Sequence, residues 1–244
     1  MTGATGSAPM HVTTISLHRL LEIPHDFDAV VAIDVLRSFS TAAYAFAAGV
    51  TEIFPIETAS EATRLQLELP DAVTIGALPG GHPIPGFDLG NSPSQLGQGN
   101  LRNRPAILTT AAGVRALARF RRAPLLFAAS LVCAQATVEA LRAAAPRRLA
   151  LVTTGEWIDR DGDEDIACAD YLAASLRGEP IDVAALERRI RESDFGRRFA
   201  AGLDPSLPPA DLDLCAVANR FDFAMPVTRD GDRLVIRPLL PRAE

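Results

Sequence analysis

Short apolar runs alternate with alanine-rich segments of helical spacing through most of the chain. Ala29–Ile33 is a continuous apolar run of the kind that lies buried in a parallel sheet, and Ser40–Ala48 after it has the pattern of a helix. The same pair recurs at Leu125–Ala128 and Ala134–Ala144. Such alternation builds a largely parallel sheet with helices on both faces. The sequence therefore predicts an α/β fold, a three-layer α/β/α sandwich.

The pattern changes in the last third of the chain, which is expected to be mainly helical. Helical segments are predicted at Val183–Arg191 and Leu212–Ala218, and a late strand is predicted at Leu234–Ile236, at the sheet edge. A chain of 244 residues lies within the range of one large domain, and no flexible linker divides it. We therefore expect a single α/β domain over residues 11–240, after a disordered lead at residues 1–10.

All 24 cationic residues are arginine, because the chain contains no lysine. This excludes Schiff-base enzymes and nucleotide sites built on a phosphate-loop lysine. A net charge of -6 argues against nucleic acid as the main partner, and no apolar run approaches the ~18 residues of a membrane span. Three cysteines, far apart in the sequence, fit a reducing compartment. The sequence thus predicts a cytoplasmic protein without a membrane or nucleic-acid partner.

Ligands of open α/β sheets bind beyond the carboxyl ends of the strands, so the residues after each strand are the first candidates for a site. The run Ala29–Ile33 continues into Asp34, Arg37 and Ser38. A carboxylate at the end of a buried strand is costly unless it binds a metal, a cation or a substrate. Asp34 and Arg37 are therefore candidate functional residues. The structural alternative is that Asp34 caps the next helix or pairs with Arg37.

Two later segments offer groups that can bind an anion. GFDLGNSP, residues 86–93, lies in a long stretch without periodicity and contains Asp88, Asn91 and Ser92. The alternative for this segment is a turn followed by a helix cap. TTAAGVRAL, residues 109–117, follows a predicted strand. It places the hydroxyls of Thr109 and Thr110 and the glycine Gly113 at a strand-to-helix turn, where a phosphate can bind or a threonine can cap the helix.

A run of acidic residues follows the predicted strand Leu149–Val152. Glu164 and Asp165 fall at a predicted helix start, where the helix dipole favours negative charge even without a ligand. The acids do not fit a calcium loop, since Glu164 stands where that loop has glycine. Carboxylates are ligands that Mg²⁺ prefers, so the pattern favours magnesium over calcium.

These segments, in this order, resemble the 2-phosphosulfolactate phosphatase family over about residues 29–227. IDVLRS is similar to its Asp-Val-Leu-Arg motif, GFDLGNSP to its most distinctive signature, and TTAAGVRAL to a Thr-Thr-Asn-Gly-Thr segment. EDIACAD resembles a Glu-Asp-x-x-Cys-Ala-Gly helix start. The resemblance implies an α/β/α sandwich and magnesium-dependent hydrolysis of a phosphate monoester, with 3-sulfolactate as the product.

The residue patterns and the resemblance together define the expected site. The expected catalytic residues are Asp34, Arg37 and Asp88. The expected Mg²⁺ ligands are Asp34, Glu164 and Asp165. The expected substrate-binding residues are Asn91, Ser92, Thr109, Thr110 and Gly113.

The chain departs from the family pattern at five positions. These are Ala77 in place of Glu, Ala112 in place of Asn, Val114 in place of Thr, Cys133 in place of Asn and Asp170 in place of Gly. Three hypotheses follow: a magnesium-dependent phosphatase that releases phosphate from 2-phosphosulfolactate, a related phosphatase for another small phosphorylated acid, or a catalytically inactive relative that binds an anion or a protein partner. The first two imply a small anionic phosphorylated substrate, and a homo-oligomer stays open.

Overall fold

In the part that the computed structural model describes, residues 10–22, 24 and 26–241, the chain forms one sheet of ten strands with eight α-helices. The strands are β1 (His11–Ser16), β2 (Ala29–Ile33), β3 (Ile53–Pro55), β4 (Val73–Gly76), β5 (Leu89–Gly90), β6 (Ala106–Thr109), β7 (Leu125–Ala129), β8 (Arg148–Thr153), β9 (Met225–Asp230) and β10 (Arg233–Ile236). The helices are α1 (Ser38–Ala47), α2 (Ala59–Glu68), α3 (Gly113–Arg119), α4 (Ala134–Ala144), α5 (Asp163–Arg177), α6 (Val183–Glu192), α7 (Asp194–Ala201) and α8 (Pro209–Cys215). The predicted α/β fold is confirmed. Of the expected disordered lead, residues 1–9 lie outside the described residues.

The sheet consists of two parallel blocks joined by an antiparallel hairpin. The strand order is β1, β8, β2, β7, β9, β10, β3, β6, β4, β5. Strands β9 and β10 pair with each other, with β7 and with β3, and all of these pairs are antiparallel. The predicted edge position of Leu234–Ile236 is therefore wrong: β10 lies inside the sheet. The physical reason is strand pairing, because β10 pairs with β9 on one side and with β3 on the other and so has no free edge.

Alternating side chains of β2 supply two separate cores. Val30 and Ala32 pack with Phe39 of α1 in the core on one face, whereas Val31 and Ile33 pack with helices α4 and α5 on the other. Such alternation follows from the two-residue period of a strand. Because both faces of β2 are covered, its continuous apolar run is explained, and the chain emerges from it directly into Asp34 at the carboxyl edge of the sheet.

Local sequence signals set several helix boundaries. The side chains of Thr58, Asp182 and Ser193 accept hydrogen bonds from backbone N–H groups in the first turns of α2, α6 and α7. Helix α5 ends at Gly178, which has φ 70° and so adopts the left-handed conformation that glycine tolerates best. Among the described residues, none of the helices combines the length and apolar character needed to cross a membrane.

Candidate active site

A cavity of about 590 Å³ opens at the carboxyl edge of the sheet. Its walls come from the segments that follow β2, β4, β5, β6 and β8, together with α7 and the chain after it. Of the residues predicted from sequence to form the site, four line the cavity: Asp34, Arg37, Asn91 and Thr110. Parallel strands end at a common edge, which explains why residues so distant in sequence meet here.

Asp34 is buried at this edge and is held by the first turn of α1. Its Oδ1 accepts the backbone N–H of Ser38 at 2.9 Å, and its Oδ2 accepts the Ser38 hydroxyl at 2.6 Å. The Ser38 hydroxyl also lies 3.0 Å from the hydroxyl of Thr110. Burial raises the pKa of Asp34, and the Ser38 hydrogen bonds oppose that shift. Asp34 thus accepts the first N–H of α1, although the N-cap position belongs to Arg37, and it also lines the cavity.

Arg37 is buried and forms an ion pair with a residue that the sequence analysis did not single out. Its Nη1 donates to Oδ2 of Asp211 at 2.6 Å, and the two side chains are only 3% and 0% exposed. The guanidinium also lies 5.0 Å from the ring centroid of Phe199. Oδ1 of Asp211 accepts the hydroxyl of Ser92 and the backbone N–H of Ser94, each at 2.9 Å. Ser92, expected to bind substrate, therefore orients the partner of Arg37 and does not itself line the cavity.

Asn91 and Thr109 both contain a buried oxygen without a hydrogen-bond partner among the described residues. In Asn91 this atom is Oδ1, and the residue lines the cavity. In Thr109 it is the hydroxyl, at the last position of β6 and not in the cavity wall. A buried polar atom without a partner is costly in a folded protein. The Asn91 amide is therefore a candidate contact for a ligand.

The lack of a side chain at Gly113 leaves room for the Asp34 carboxylate. A Cβ at this position would lie 2.8 Å from Oδ2 of Asp34 and 2.9 Å from Cβ of Ser38. Contacts this short do not occur between real side chains without a shift of the neighbours. The glycine at the start of α3 thus permits the close approach of Asp34 and does not itself line the cavity.

Asp88 does not line the cavity, although it stands three residues before Asn91 in the sequence. Its Oδ2 accepts the backbone N–H and the hydroxyl of Thr74, each at 2.8 Å, and Nε2 of Gln66 at 3.2 Å. These bonds fasten the start of β5 to β4. The catalytic role expected of Asp88 stays a prediction that the geometry does not favour.

Glu164 and Asp165 are buried at the start of α5, and neither lines the cavity. The Asp165 carboxylate accepts backbone N–H groups of Val35, Thr154 and Gly155, each at 2.8 Å. Burial, and then the negative charges of Asp34 and Glu164, hold the pKa of Asp165 well above its usual range. Burial also raises the pKa of Glu164 to about 7, and its Oε2 has no partner among the described residues.

The structure does not gather the expected magnesium ligands into one cluster. Across residues 10–22, 24 and 26–241, no group of three or more His, Cys, Asp and Glu side chains could hold a metal ion. Of the three expected ligands, Asp34 alone lines the cavity. Mg²⁺ is commonly held by one or two carboxylates together with water and substrate phosphates, and Asp34, as one carboxylate in the cavity wall, fits that mode of binding.

Several residues that the sequence analysis did not select also line the cavity. They are Trp157, Arg160, Phe195, Arg198 and Leu207. Arg160 stands among acidic residues, and Arg198 follows Arg197 in a helical stretch. A solvated surface is the ordinary interpretation in both cases, so no local signal distinguishes them. Of the five positions that depart from the family pattern, Ala77 and Ala112 line the cavity, Val114 and Cys133 are buried elsewhere, and Asp170 lies on α5 outside the cavity wall.

Fold and cavity together define an α/β protein with a cavity at the carboxyl edge of its sheet, whose wall contains a buried acid and a buried arginine. Residues 16–201 match the family model described as 2-phosphosulpholactate phosphatase. The chain is 32% identical over 206 residues to a "Probable 2-phosphosulfolactate phosphatase" of Bacillus subtilis (strain 168), covering 84% of this chain and 89% of the relative. A relative of the same name from Synechococcus sp. (strain JA-3-3Ab) is 38% identical over 219 residues, covering 82% and 89%. The chain belongs to the 2-phosphosulfolactate phosphatase family, which confirms the resemblance seen in the sequence and indicates a phosphatase.

Proposed function

We propose that this chain is a magnesium-dependent phosphatase that hydrolyses the phosphate monoester of 2-phosphosulfolactate and releases 3-sulfolactate. The observation that carries the proposal is the presence of Asp34 and Arg37 in the wall of one cavity, each fixed by its own buried hydrogen bonds. A fixed guanidinium suits the planar recognition of phosphate oxygens, and a carboxylate in the same cavity wall suits a metal ion or a proton. The substrate itself is proposed from the names of the relatives.

Most N–H donors of Arg37 are available to bind a phosphate. A guanidinium has five N–H donors, and the Asp211 bond occupies one of them. Nη2 is 3.5 Å from the carbonyl of Gly81, which is a weak contact. The Asp211 carboxylate thus fixes the orientation of the guanidinium while leaving most donors available. Fixed donors need no reorganisation as charge develops on the transferring phosphoryl group.

Asp34 would hold Mg²⁺ together with the phosphate that arrives with the substrate. When bound there, the ion supplies neutralisation of phosphoryl charge. Burial raises the pKa of Asp34, so protons compete with the metal at this carboxylate more strongly than at an exposed one. Magnesium activation is therefore expected to weaken as the pH falls.

The test is phosphate release from 2-phosphosulfolactate, with magnesium and with EDTA, by wild type, Asp34→Asn and the exposed control Asp230→Asn. We expect magnesium-dependent release that Asp230→Asn retains and that Asp34→Asn loses by about 10²-fold or more. Full activity in EDTA would overturn the magnesium requirement alone. A folded wild-type protein that releases phosphate from no phosphorylated acid would overturn the phosphatase proposal.

A second candidate, a phosphatase for another small phosphorylated acid, is favoured by one observation. Ala77 and Ala112, two of the positions where this chain departs from the family pattern, both line the cavity. Small apolar side chains there change the volume and polarity of the cavity that Asp34 and Thr110 also line. A panel of phosphorylated hydroxy acids, compared by kcat/KM, decides between the two substrates.

A further inference from the structure

The cavity contains three arginines, and two of them already have carboxylate partners. Arg37 is paired with the buried Asp211. Arg198 of α7 donates to the carboxylate of Asp159 at 2.9 Å, and both residues line the cavity. The charges of these two arginines are thus balanced within the protein.

Arg160 differs from both. Among the residues that the structure describes, its guanidinium forms no ion pair, although it lines the cavity and is partly buried. The guanidinium carbon lies 4.4 Å from the ring centroid of Phe195, a cation–π contact. Burial raises the pKa of Asp34 and of Glu164, and the positive charge of Arg160 acts in the opposite direction on both. The field of Arg160 therefore reaches Asp34 in the cavity wall.

The segment that presents Arg160 is held at both sides. Trp157 and Arg160 exchange two backbone hydrogen bonds of 3.2 Å each. Glu156 pairs with Arg19 at 2.5 Å, and Asp159 pairs with Arg198. These contacts fix the backbone that presents Arg160, and its side chain is stacked on Phe195, so less conformational entropy is lost when a ligand binds.

We infer that Arg160 binds the second anionic group of the substrate, a carboxylate or a sulfonate, while Arg37 binds the phosphate. The inference rests on the proposed function and deepens it by assigning specificity for phosphorylated acids to one residue. Phosphate esters of neutral alcohols have no group for Arg160 to bind. A stacked guanidinium keeps its in-plane N–H donors available for an oxyanion, which an ammonium group does not offer in the same geometry.

The test compares Arg160→Gln and Arg160→Lys with the exposed control Arg122→Gln, which lies outside the cavity. Three substrates separate the groups: 2-phosphosulfolactate has a carboxylate and a sulfonate, 2-phospholactate has the carboxylate alone, and isopropyl phosphate has neither. We expect Arg160→Gln to raise KM for 2-phosphosulfolactate by about 10- to 100-fold with little change in kcat, and to leave isopropyl phosphate unaffected. Arg160→Lys should recover part of the loss.

The pattern across substrates identifies the group that is bound. If Arg160→Gln raises KM for 2-phospholactate as much as KM for 2-phosphosulfolactate, Arg160 binds the carboxylate. If KM for 2-phospholactate is unchanged, Arg160 binds the sulfonate. An equal rise in KM for isopropyl phosphate would overturn the inference.

A binding measurement keeps this test independent of turnover. Thermal stabilisation by 3-sulfolactate should be present in wild type and in Arg122→Gln and lost in Arg160→Gln. Absence of turnover on every substrate, with this stabilisation intact, would reject the proposed function and retain the anion site. Equal stabilisation of wild type and Arg160→Gln would reject the site, whatever the turnover.

Discussion

The guanidinium of Arg37 and the carboxylate of Asp211 are 2.6 Å apart, although 174 positions separate them in the chain. The pair joins the loop after β2 to the start of α8. Through its other oxygen, Asp211 also binds Ser92 and Ser94. Three segments that are remote in sequence thus meet at one buried carboxylate. An arginine held in this way is already oriented before a substrate binds.

Removal of this buried charge should be costly. Asp211→Asn leaves Arg37 buried without a counter-charge, a change that typically lowers the free energy of unfolding by about 3 kcal/mol or more. The released guanidinium should also raise KM for the phosphorylated substrate. Urea unfolding and steady-state kinetics measure the two effects.

Asp213→Asn is the matched control for Asp211→Asn, two residues further along the same helix. Its carboxylate is 70% exposed and pairs with a partly exposed Arg191 at 2.7 Å. Surface pairs of this kind contribute only about 0–1 kcal/mol. Equal loss of stability in the two variants would contradict the special role of the buried pair.

Substitution of Asp88 should affect stability more than catalysis. Asp88→Ala removes the acceptor for Thr74 and Gln66 and loosens β5 from β4, at a cost of about 1–3 kcal/mol. Because Asp88 lies outside the cavity wall, kcat of the folded variant should stay within about threefold of wild type. A stable, folded Asp88→Ala with a hundredfold lower kcat would instead support the catalytic role expected from the sequence.

Burial of Glu164 should make stability depend on pH. Its pKa is raised from 4.5 to about 7 in the folded protein, so the folded state binds the proton more tightly than the unfolded state does. The stabilisation is fully present below about pH 4.5 and is lost as the pH rises through 7. The difference in pKa corresponds to about 3 kcal/mol.

Glu164→Gln isolates this contribution, because glutamine resembles the protonated acid and does not titrate. Near pH 4.5 the two proteins should have similar free energies of unfolding. By pH 8 the variant should be more stable than wild type by about 3 kcal/mol. Urea unfolding across this range measures the difference, and a difference that stays constant with pH would contradict the prediction.

The sequence predicted the fold class because the local signals are strong. The apolar run Ala29–Ile33 is buried on both faces, as its composition requires. The position of β10 could not be predicted in the same way. Its pairing with β3 joins residues 53 and 236, and nothing in a short apolar segment specifies so distant a partner.

The sequence predicted the site residues that directly follow a strand. It did not predict those whose place in the site depends on tertiary packing. Asp34 and Thr110 stand at strand ends, so their meeting at one edge follows from topology. Asp88 stands beside Asn91 in one motif, but a motif does not report which member lines a cavity. The position of the Arg160 guanidinium depends on Phe195, which is 35 positions away in sequence and stacks on it only in the folded chain.

Gly113 should be essential for the geometry of Asp34. In Gly113→Ala the new methyl group would lie 2.8 Å from Oδ2 of Asp34, so the carboxylate and Ser38 must move apart from α3. A misplacement of about 1 Å at a reacting group can cost about 10²-fold, so we expect kcat/KM to fall by up to that factor. Gly97→Ala is the matched control, because a Cβ there meets no atom within 4 Å. Phosphate release and circular dichroism of both variants measure activity and folding. A folded Gly113→Ala with the kcat/KM of wild type would show that Asp34 does not need its present position, and the role proposed for its carboxylate would then be wrong.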